Sequence, residues 1–302
     1  MTSINWFIRT LFYFLPFNLV QGYDMTPRCN HAFPTQEKYV SVFLNGQFGN
    51  QLFQLATAYA YSLDHGIPLT VPDLLLNLCY DIPHNAETVF LRNIACYSPH
   101  SSPFLIWKEP NFNYSPIPVS TRIQLKGFFQ SEKYFSHRRK ELLELFAAPE
   151  GYNERILAKY PFLSSSELVV GVQIRDYRAY TPNGEYHPTL GREYYQRAIS
   201  LFPENTIFIV TSNNLAFAKE CIEGLASNII YLNADYIEEF YTLVMCKSFI
   251  ISNSSFGWWA AWLSIAEGKR VIVPDPWLSP PYNNEEMTRD LFPSNYEILS
   301  VR

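Results

Sequence analysis

The stretch YVSVFLNGQFGNQLFQLATAYAYSLDHGIPLTV, residues 39–71, decides the fold class. Tyr39 to Leu44 is a short β-rich run that reads as a buried strand. A glycine turn follows at Gly46 and Gly49. From Gln51 to Leu63 the period changes, and Leu52, Leu55, Ala56, Tyr59 and Leu63 fall on one face of a helix. Gly66 ends that helix, and Ile67 to Val71 resume a strand. Strand, turn, helix and strand in this order open an α/β sheet with parallel strands.

Downstream the same rhythm recurs. Ile123 to Phe128 reads as a strand, Glu132 to Phe146 as a helix, and Pro149 to Ser166 as a bridge between two halves. Strands are expected at Leu168–Ile174, Ile207–Val210, Ile229–Leu232, Phe249–Ser252 and Arg270–Val273. Helices are expected at Gly191–Leu201, from the turn Thr211–Asn214 to Leu225, at Ile237–Cys246 and within Ser254–Gly268. Alternation of this kind predicts βαβ units with ligands at the carboxyl ends of the strands. Asp73 to Pro118, rich in Pro, Asn and Ser, reads as surface loops or an irregular binding region.

The 302 residues suffice for two medium domains at about 100–200 residues each. A hydrophobic fraction of 48% excludes global disorder, and a formal charge of −5 argues against a nucleic acid partner. Cys29, Cys79, Cys96, Cys221 and Cys246 are odd in number and widely spaced, which argues against a zinc ribbon or a disulfide scaffold. The six histidines form no pair at ligand spacing, so no metal site is expected. Trp6 to Val20 is apolar, falls short of the ~20 residues of a membrane-spanning helix and contains Pro16. Its length suits a signal-peptide hydrophobic region or a short anchor. Residues 1–38 are therefore read as a leader, with peripheral membrane association or a cytoplasmic location as the expectation.

Four segments that follow expected strands could carry chemistry. In Asn45-Gly46-Gln47-Phe48-Gly49-Asn50-Gln51 two glycines and a helix start suit an anion, or make an ordinary β–α turn. The three-glycine dinucleotide spacing is missing. Arg175, ending the strand of Val172-Gln173-Ile174, either clamps a phosphate or pairs with a carboxylate. Ser252-Asn253-Ser254-Ser255-Phe256 opens a helix as an anion cradle or a plain cap, and Trp258, Trp259 and Trp262 read as core more than as a sugar platform. Ser212-Asn213-Asn214 sits where a doubly wound sheet often reads a nucleobase or ribose, with capping as the alternative. These residues together describe a two-domain α/β protein with a phosphate-bearing ligand.

The same segments, in this order, resemble glycosyltransferase family 11, the α-1,2-fucosyltransferases. QFGNQLFQ with Leu55-Ala56-Thr57-Ala58-Tyr59-Ala60 is similar to the family's GxGNQxFQYAxAYAL. LKGFFQSEKYF, from Leu125 to Phe135, is similar to GYFQSEKYF, and Tyr194-Tyr195 with Ala198 to YYxxAI. SNSSFGWWAAWL, from Ser252 to Leu263, is similar to ANSSFSWWGAWL, and Pro274 to Trp277 to a terminal PxxW.

The resemblance implies a GT-B architecture of two facing Rossmann-like domains with parallel sheets. Residues 39–150 would form the acceptor side and 167–302 the donor side. It implies a hexosyltransferase that moves L-fucose from GDP-β-L-fucose to a galactose hydroxyl of a glycan acceptor in α-1,2 linkage, with inversion and no essential metal or other cofactor. Arg175 stands at the first arginine of the family's HxRRGDY and would hold the donor diphosphate. Gly49, Ser254, Ser255 and Phe256 would line the donor, with Ser212 and Asn213 toward the guanine, and Asn50 would approach the transferred sugar.

Two departures stand out. Gln173-Ile174-Arg175-Asp176-Tyr177 is shorter than HxRRGDY and lacks its leading histidine and second arginine. Asn213 and Asn214 stand where family members often carry two aspartates. An Asn carbonyl offers one acceptor to guanine's paired donors, where a carboxylate offers two. Asp176, Glu185 and His187 are candidates for the base, with none singled out. The departures keep open a non-catalytic nucleotide-sugar or glycan-binding relative, or a transferase with another donor or acceptor.

Overall fold

Two sheets, each wholly parallel, organise the protein in a computed structural model that describes residues 38–71, 102–178 and 186–301. The leader up to residue 37, residues 72–101 of the Asp73–Pro118 stretch, three of the five cysteines and Glu185 lie outside the described residues. Contacts divide the chain after Ala32, and every described residue belongs to the second unit, Phe33–Arg302. No helix among the described residues is long and apolar enough to cross a membrane.

The first sheet contains β1 (Tyr39–Val42), β2 (Leu69–Thr70), β3 (Leu105–Lys108) and β4 (Arg122–Lys126) in the order β2-β1-β4-β3. The second contains β5 (Val169–Ile174), β6 (Ile207–Ser212), β7 (Ile229–Tyr231), β8 (Ser248–Ile251), β9 (Val271–Asp275) and β10 (Glu297–Ser300). Its order is β10-β9-β8-β5-β6-β7. Strand order reverses at β1 in one sheet and at β5 in the other. Each reversal opens a crevice beyond the strand's carboxyl end. The Asn45–Gln51 loop follows β1, and Arg175 follows β5.

All six residues of β5 are buried, as expected of a central parallel strand covered on both faces. One face packs against α4 (Arg192–Ile199) and α5 (Leu215–Ile222), around Tyr194, Tyr195, Phe217 and Ile222. The remaining apolar surface belongs to one continuous core that runs through both sheets. That core includes α1 (Phe48–His65), α6 (Tyr236–Val244) and α7 (Ser255–Leu263).

Helix α1 begins at Phe48, three residues before the expected start, because Phe48 packs edge-on against Tyr236 and Phe240. It ends at Gly66, whose φ of 59° is left-handed and whose N–H reaches the Ser62 carbonyl. Helix α7 buries Trp258, Trp259 and Trp262 at 0%, 0% and 3% exposure, which establishes the core reading of the tryptophans.

Several elements differ from the sequence reading. Glu132 to Phe146 is not one helix but two 3-10 turns, Glu132–Tyr134 and Ser136–Arg138, followed by α2 (Arg139–Leu145). The break falls at Phe135, which stacks on Trp259 at 5.2 Å and meets Trp262 edge-on at 5.4 Å. Seating that ring among the tryptophans takes precedence over a regular helix. The bridge from Pro149 to Ser166 contains α3 (Tyr152–Lys159) and a 3-10 turn.

Helix α7 stops at Leu263, well before Gly268. Arg139 Nη2 (3.2 Å) and Lys269 Nζ (2.6 Å) donate to the Ser264 carbonyl, and Lys269 Nζ also donates to the Ala261 carbonyl (2.7 Å). The edge strands β3 and β10 and the short helix α8 (Glu285–Thr288) had no readable period.

Phe135→Ala is expected to lower stability by about 3–5 kcal/mol, the cost of emptying a buried aromatic site. Denaturant unfolding reads this directly. A loss below about 1 kcal/mol would show that the tryptophan layer does not depend on this ring.

Candidate active site

The segments singled out in the sequence line one cavity of ≈ 1390 Å³ between the carboxyl ends of the two sheets. Asn45 to Asn50 enter from the first sheet. Gln173, Arg175, Ser212, Asn213, Ser254, Ser255 and Phe256 enter from the second.

The backbones of the two halves come close together at Gly49, in the first turn of α1. A Cβ built there would lie 2.5 Å from the Ser255 carbonyl carbon and 2.7 Å from Phe256 N. No side chain larger than hydrogen fits without displacing backbone. Gly49 therefore brings the N-terminus of α1 against the N-terminus of α7.

Four helices begin on this cavity, and their caps differ. Asn214 caps α5 by accepting from Phe217 N, and Asp235 caps α6 by accepting from Ile237 N and Glu238 N. Helices α1 and α7 have no side-chain cap: Gln47 and Ser254 are extended, and neither side chain bonds its own first turn. The capping alternative for Ser254 is thereby corrected. Two uncapped helix starts side by side concentrate positive potential and first-turn N–H groups at one place. Arg175 stands beside them, with Nη2 donating to Gln47 Oε1 at 2.9 Å across the halves. A diphosphate finds there a fixed cation and backbone donors from two directions.

Behind this point lies a lattice of amides. Gln54 accepts from Asn45 N (2.9 Å) and donates to the Asn45 and Gly127 carbonyls. Gln130 Nε2 donates to Asn50 Oδ1 at 3.0 Å, joining the first turn of α1 to the FFQSEKYF segment, and Asn50 lines the cavity. In the second half, Ser252 Oγ donates to Gln173 Oε1 at 2.6 Å, so the residue at the missing histidine is anchored to the β8 end.

Ser212-Asn213-Asn214 lines the cavity, yet its amides are engaged in structure. Asn213 accepts from Asp176 N (2.9 Å) and donates to the Asp176 carbonyl (3.0 Å). Asn214 Nδ2 donates to Asp176 Oδ2 at 2.9 Å. Ser212 Oγ pairs with the Asn214 backbone. The pair fastens the chain beyond β5 to the chain beyond β6.

Hydrogen bonds from Arg178 are the leading reason that the Asp176 carboxyl is held down at about 2, with Asn214 adding to them. So acidic and committed a group is a poor base. His187 stacks on Tyr177 at 4.6 Å and lines the cavity. Burial, with Arg175 as a lesser contributor, lowers its pKa and keeps it neutral near pH 7. Its Nδ1 is buried without a hydrogen-bond partner.

The sequence reading missed a carboxylate. Glu239, in the first turn of α6, lines the cavity beside Asn233 and Ala234. Burial pushes its pKa up to about 7, against one backbone N–H from Ala234. In sequence, Glu238-Glu239 is an ordinary acidic helix start, and nothing local tells which of the two faces inward.

Glu109 was missed as well. It sits just after β3, and its Oε2 accepts from Phe128 N (2.8 Å) and Phe129 N (3.0 Å). It thereby supports a turn in which the buried Phe129 has a left-handed φ of 54°. Burial raises its pKa to about 7 despite those two donors.

A family model described as Glycosyl transferase family 11 matches residues 17–290, and the chain belongs to that family. It is similar to the Galactoside alpha-(1,2)-fucosyltransferase 2 of Oryctolagus cuniculus, 27% identical over 72% of this chain and 65% of that protein. The chain thus spans a little under two thirds of that relative's length. It is also similar to the O-antigen biosynthesis glycosyltransferase WbnK of Escherichia coli, 24% identical over 82% of this chain and 97% of that protein. Among solved structures, a mutant of Arabidopsis thaliana FUT1 in complex with GDP shares the fold. The TM-score is 0.50 at 14% identity, covering 82% of this chain and 72% of that one.

Gly49→Ala is expected to cost about 1–3 kcal/mol through overpacking and to weaken ligand binding by parting the two helix starts. A thermal unfolding midpoint equal to that of the parent would refute the close approach. Glu109 gives a pH signature. Its folded pKa of about 7 lies above the ordinary 4.5, so its contribution is fully present below pH 4.5 and is lost as pH rises through 7. The swing is on the order of 3 kcal/mol. In Glu109→Gln that share of the decline should disappear from denaturant unfolding across this range, leaving only the share of Glu239, whose pKa is raised to about 7 in the same way. An unchanged slope would remove Glu109 as its source.

Proposed function

We propose that the protein transfers L-fucose from GDP-β-L-fucose to a hydroxyl of a galactose residue on a glycan acceptor. The linkage is α-1,2, formed with inversion and without an essential metal. The observation that carries this reading is the convergence of Arg175 with the uncapped starts of α1 and α7 in one cavity. The names of the family's relatives supply the sugar and the linkage. The cavity also exceeds the roughly 300–1,000 Å³ usual for one small ligand, as a two-substrate reaction requires.

In this reading the acceptor oxygen attacks the anomeric carbon of fucose on the face opposite the nucleotide. The bond from that carbon to the β-phosphate oxygen breaks, and its electron pair leaves on GDP. The acceptor hydroxyl gives up its proton to a base as the new bond forms. Negative charge grows on the diphosphate as the bond breaks. Arg175 and the N–H groups of two helix starts are already directed there and need no reorganisation. They supply the positive charge that a divalent cation supplies in other transferases.

Glu239 lies on the side of β6 and β7, with Asn213 nearby in the same lining. Its two oxygens offer the paired acceptors that guanine's N1–H and N2–H₂ ask for. Asn213 and Asn214, whose amides are bonded to Asp176, offer no such pair. Asn50, held by Gln130, projects from the first half toward the transferred sugar.

Arg175→Ala is expected to weaken GDP binding by about 10–100-fold, the loss of a charge-assisted contact of about 1.5–3 kcal/mol. It should abolish fucosyl transfer with little change in the unfolding midpoint. Calorimetric titration with GDP and mass-spectrometric detection of fucosylated lactose read both effects. Unaltered turnover would overturn the role of Arg175. Saturable GDP binding by the parent without any acceptor-dependent GDP release would favour a non-catalytic relative.

A further inference from the structure

Beyond the nucleotide end, the cavity has a second wall of a different composition. Phe112, Phe128, Tyr186, Tyr282 and Met287 all line it. Phe112 and Phe128 pack at 5.6 Å, and Tyr186 stacks on Tyr282 at 4.8 Å with the ring planes 23° apart. Tyr186 is 52% exposed. Met287 also extends from α8 into the same lining.

Although these residues come from both halves, hydrogen bonds join them into one surface. Asn113, next to Phe112, donates to the Glu285 and Glu286 carbonyls at 2.8 and 2.7 Å and accepts from Asp290 N. Lys133 Nζ bonds Asp290 at 2.6 Å across the same seam. Ser279 N donates to the Tyr186 carbonyl at 2.9 Å, tying Tyr186 to the segment that carries Tyr282. Glu109 holds Phe128 N in turn. Such a wall keeps its rings in place before any ligand arrives.

Its position follows from strand order. Tyr282 and Met287 follow β9, Arg175 follows β5, and Glu239 follows β7. In the order β10-β9-β8-β5-β6-β7, β9 and β7 are four strand spacings apart, roughly 19 Å at about 4.8 Å each. Arg175 stands between them. A nucleotide with its base near Glu239 and its diphosphate at Arg175 leaves this wall for whatever receives the sugar.

We propose that Phe112, Phe128, Tyr186 and Tyr282 form the acceptor subsite, which takes a neutral pyranoside by stacking its C–H face on the rings. The order of the ligands rests on the transferase reading, whereas the stacking itself does not. Among the described lining residues, the formal charges are Arg175 and Glu239, both on the nucleotide side. The described residues of the subsite therefore offer a charged acceptor no counter-ion. It offers a sugar flat apolar faces, with the phenol hydroxyls of Tyr186 and Tyr282 as polar groups in the same wall.

The test uses the full chain with GDP present and methyl β-D-galactopyranoside as probe, followed by saturation-transfer NMR. The parent is expected to transfer saturation to the C–H protons of the probe. Tyr186→Ala alters an exposed ring and preserves the fold. It and Tyr282→Ala should each weaken probe binding by about fivefold or more, with GDP affinity unchanged within about twofold. Tyr282→Phe should restore probe binding, since the ring remains. Probe binding equal to the parent in both alanine variants overturns the subsite, as does no saturation of the probe by the GDP-bound parent. Absence of GDP binding by the parent, with the probe still sensitive to Tyr186→Ala, overturns the transferase reading and leaves the aromatic subsite standing.

Discussion

Backbone contact between two helix starts governs the geometry of this protein. Gly49 lets the first turn of α1 lie directly on Ser255 and Phe256 of α7, where a single added methyl group would meet main-chain atoms. Two elements separated by some two hundred residues thereby present their positive ends to the same volume. Phe48, beside that glycine, packs among Tyr236, Phe240 and Phe256 and makes the approach part of the hydrophobic core. The far end of α7 is held by Arg139 and Lys269 on its last carbonyls. The helix thus carries cations at its negative end and leaves its positive end open to the cavity.

The remaining polar construction follows from this arrangement. A cavity lined by amides and aromatic rings must satisfy its backbone groups without filling itself with charge. Gln54, Asn113 and Asn213 do so by bonding main-chain groups of other segments, while Gln130 and Gln173 bond the side chains of Asn50 and Ser252. The few ionised groups have distinct duties. Asp176 is fixed by Arg178 and Asn214 as a structural anion, whereas Arg175 stays directed at the cavity. Glu109 and Glu239 are desolvated enough to titrate near neutrality, one beneath a strained turn and one within the lining. Beyond β6 two asparagines tie the loops together, and a glutamate lines the cavity one helix further on.

Residues 39–71 and 168–273 determined the fold class by themselves. Strand and helix periods alternate there, and Gly66 and the buried runs of β5 and β8 carry local signals that packing only reinforces. The burial of Trp258, Trp259 and Trp262 was legible for the same reason, as was the grouping of Asn50, Arg175 and Ser254 at strand ends. Tertiary structure decided the rest. The break at Phe135 depends on tryptophans more than a hundred residues away, and no local period encodes it. Whether Asn213 faces a ligand or the Asp176 backbone depends on the spacing of β5 and β6, since an amide serves either use. Glu239 and the Phe112–Tyr282 wall gain meaning only when strand order brings them to one cavity. Sequence records which groups are available, and their partners are settled by long-range packing, because a hydrogen bond or a ring contact depends on distance in space and not along the chain.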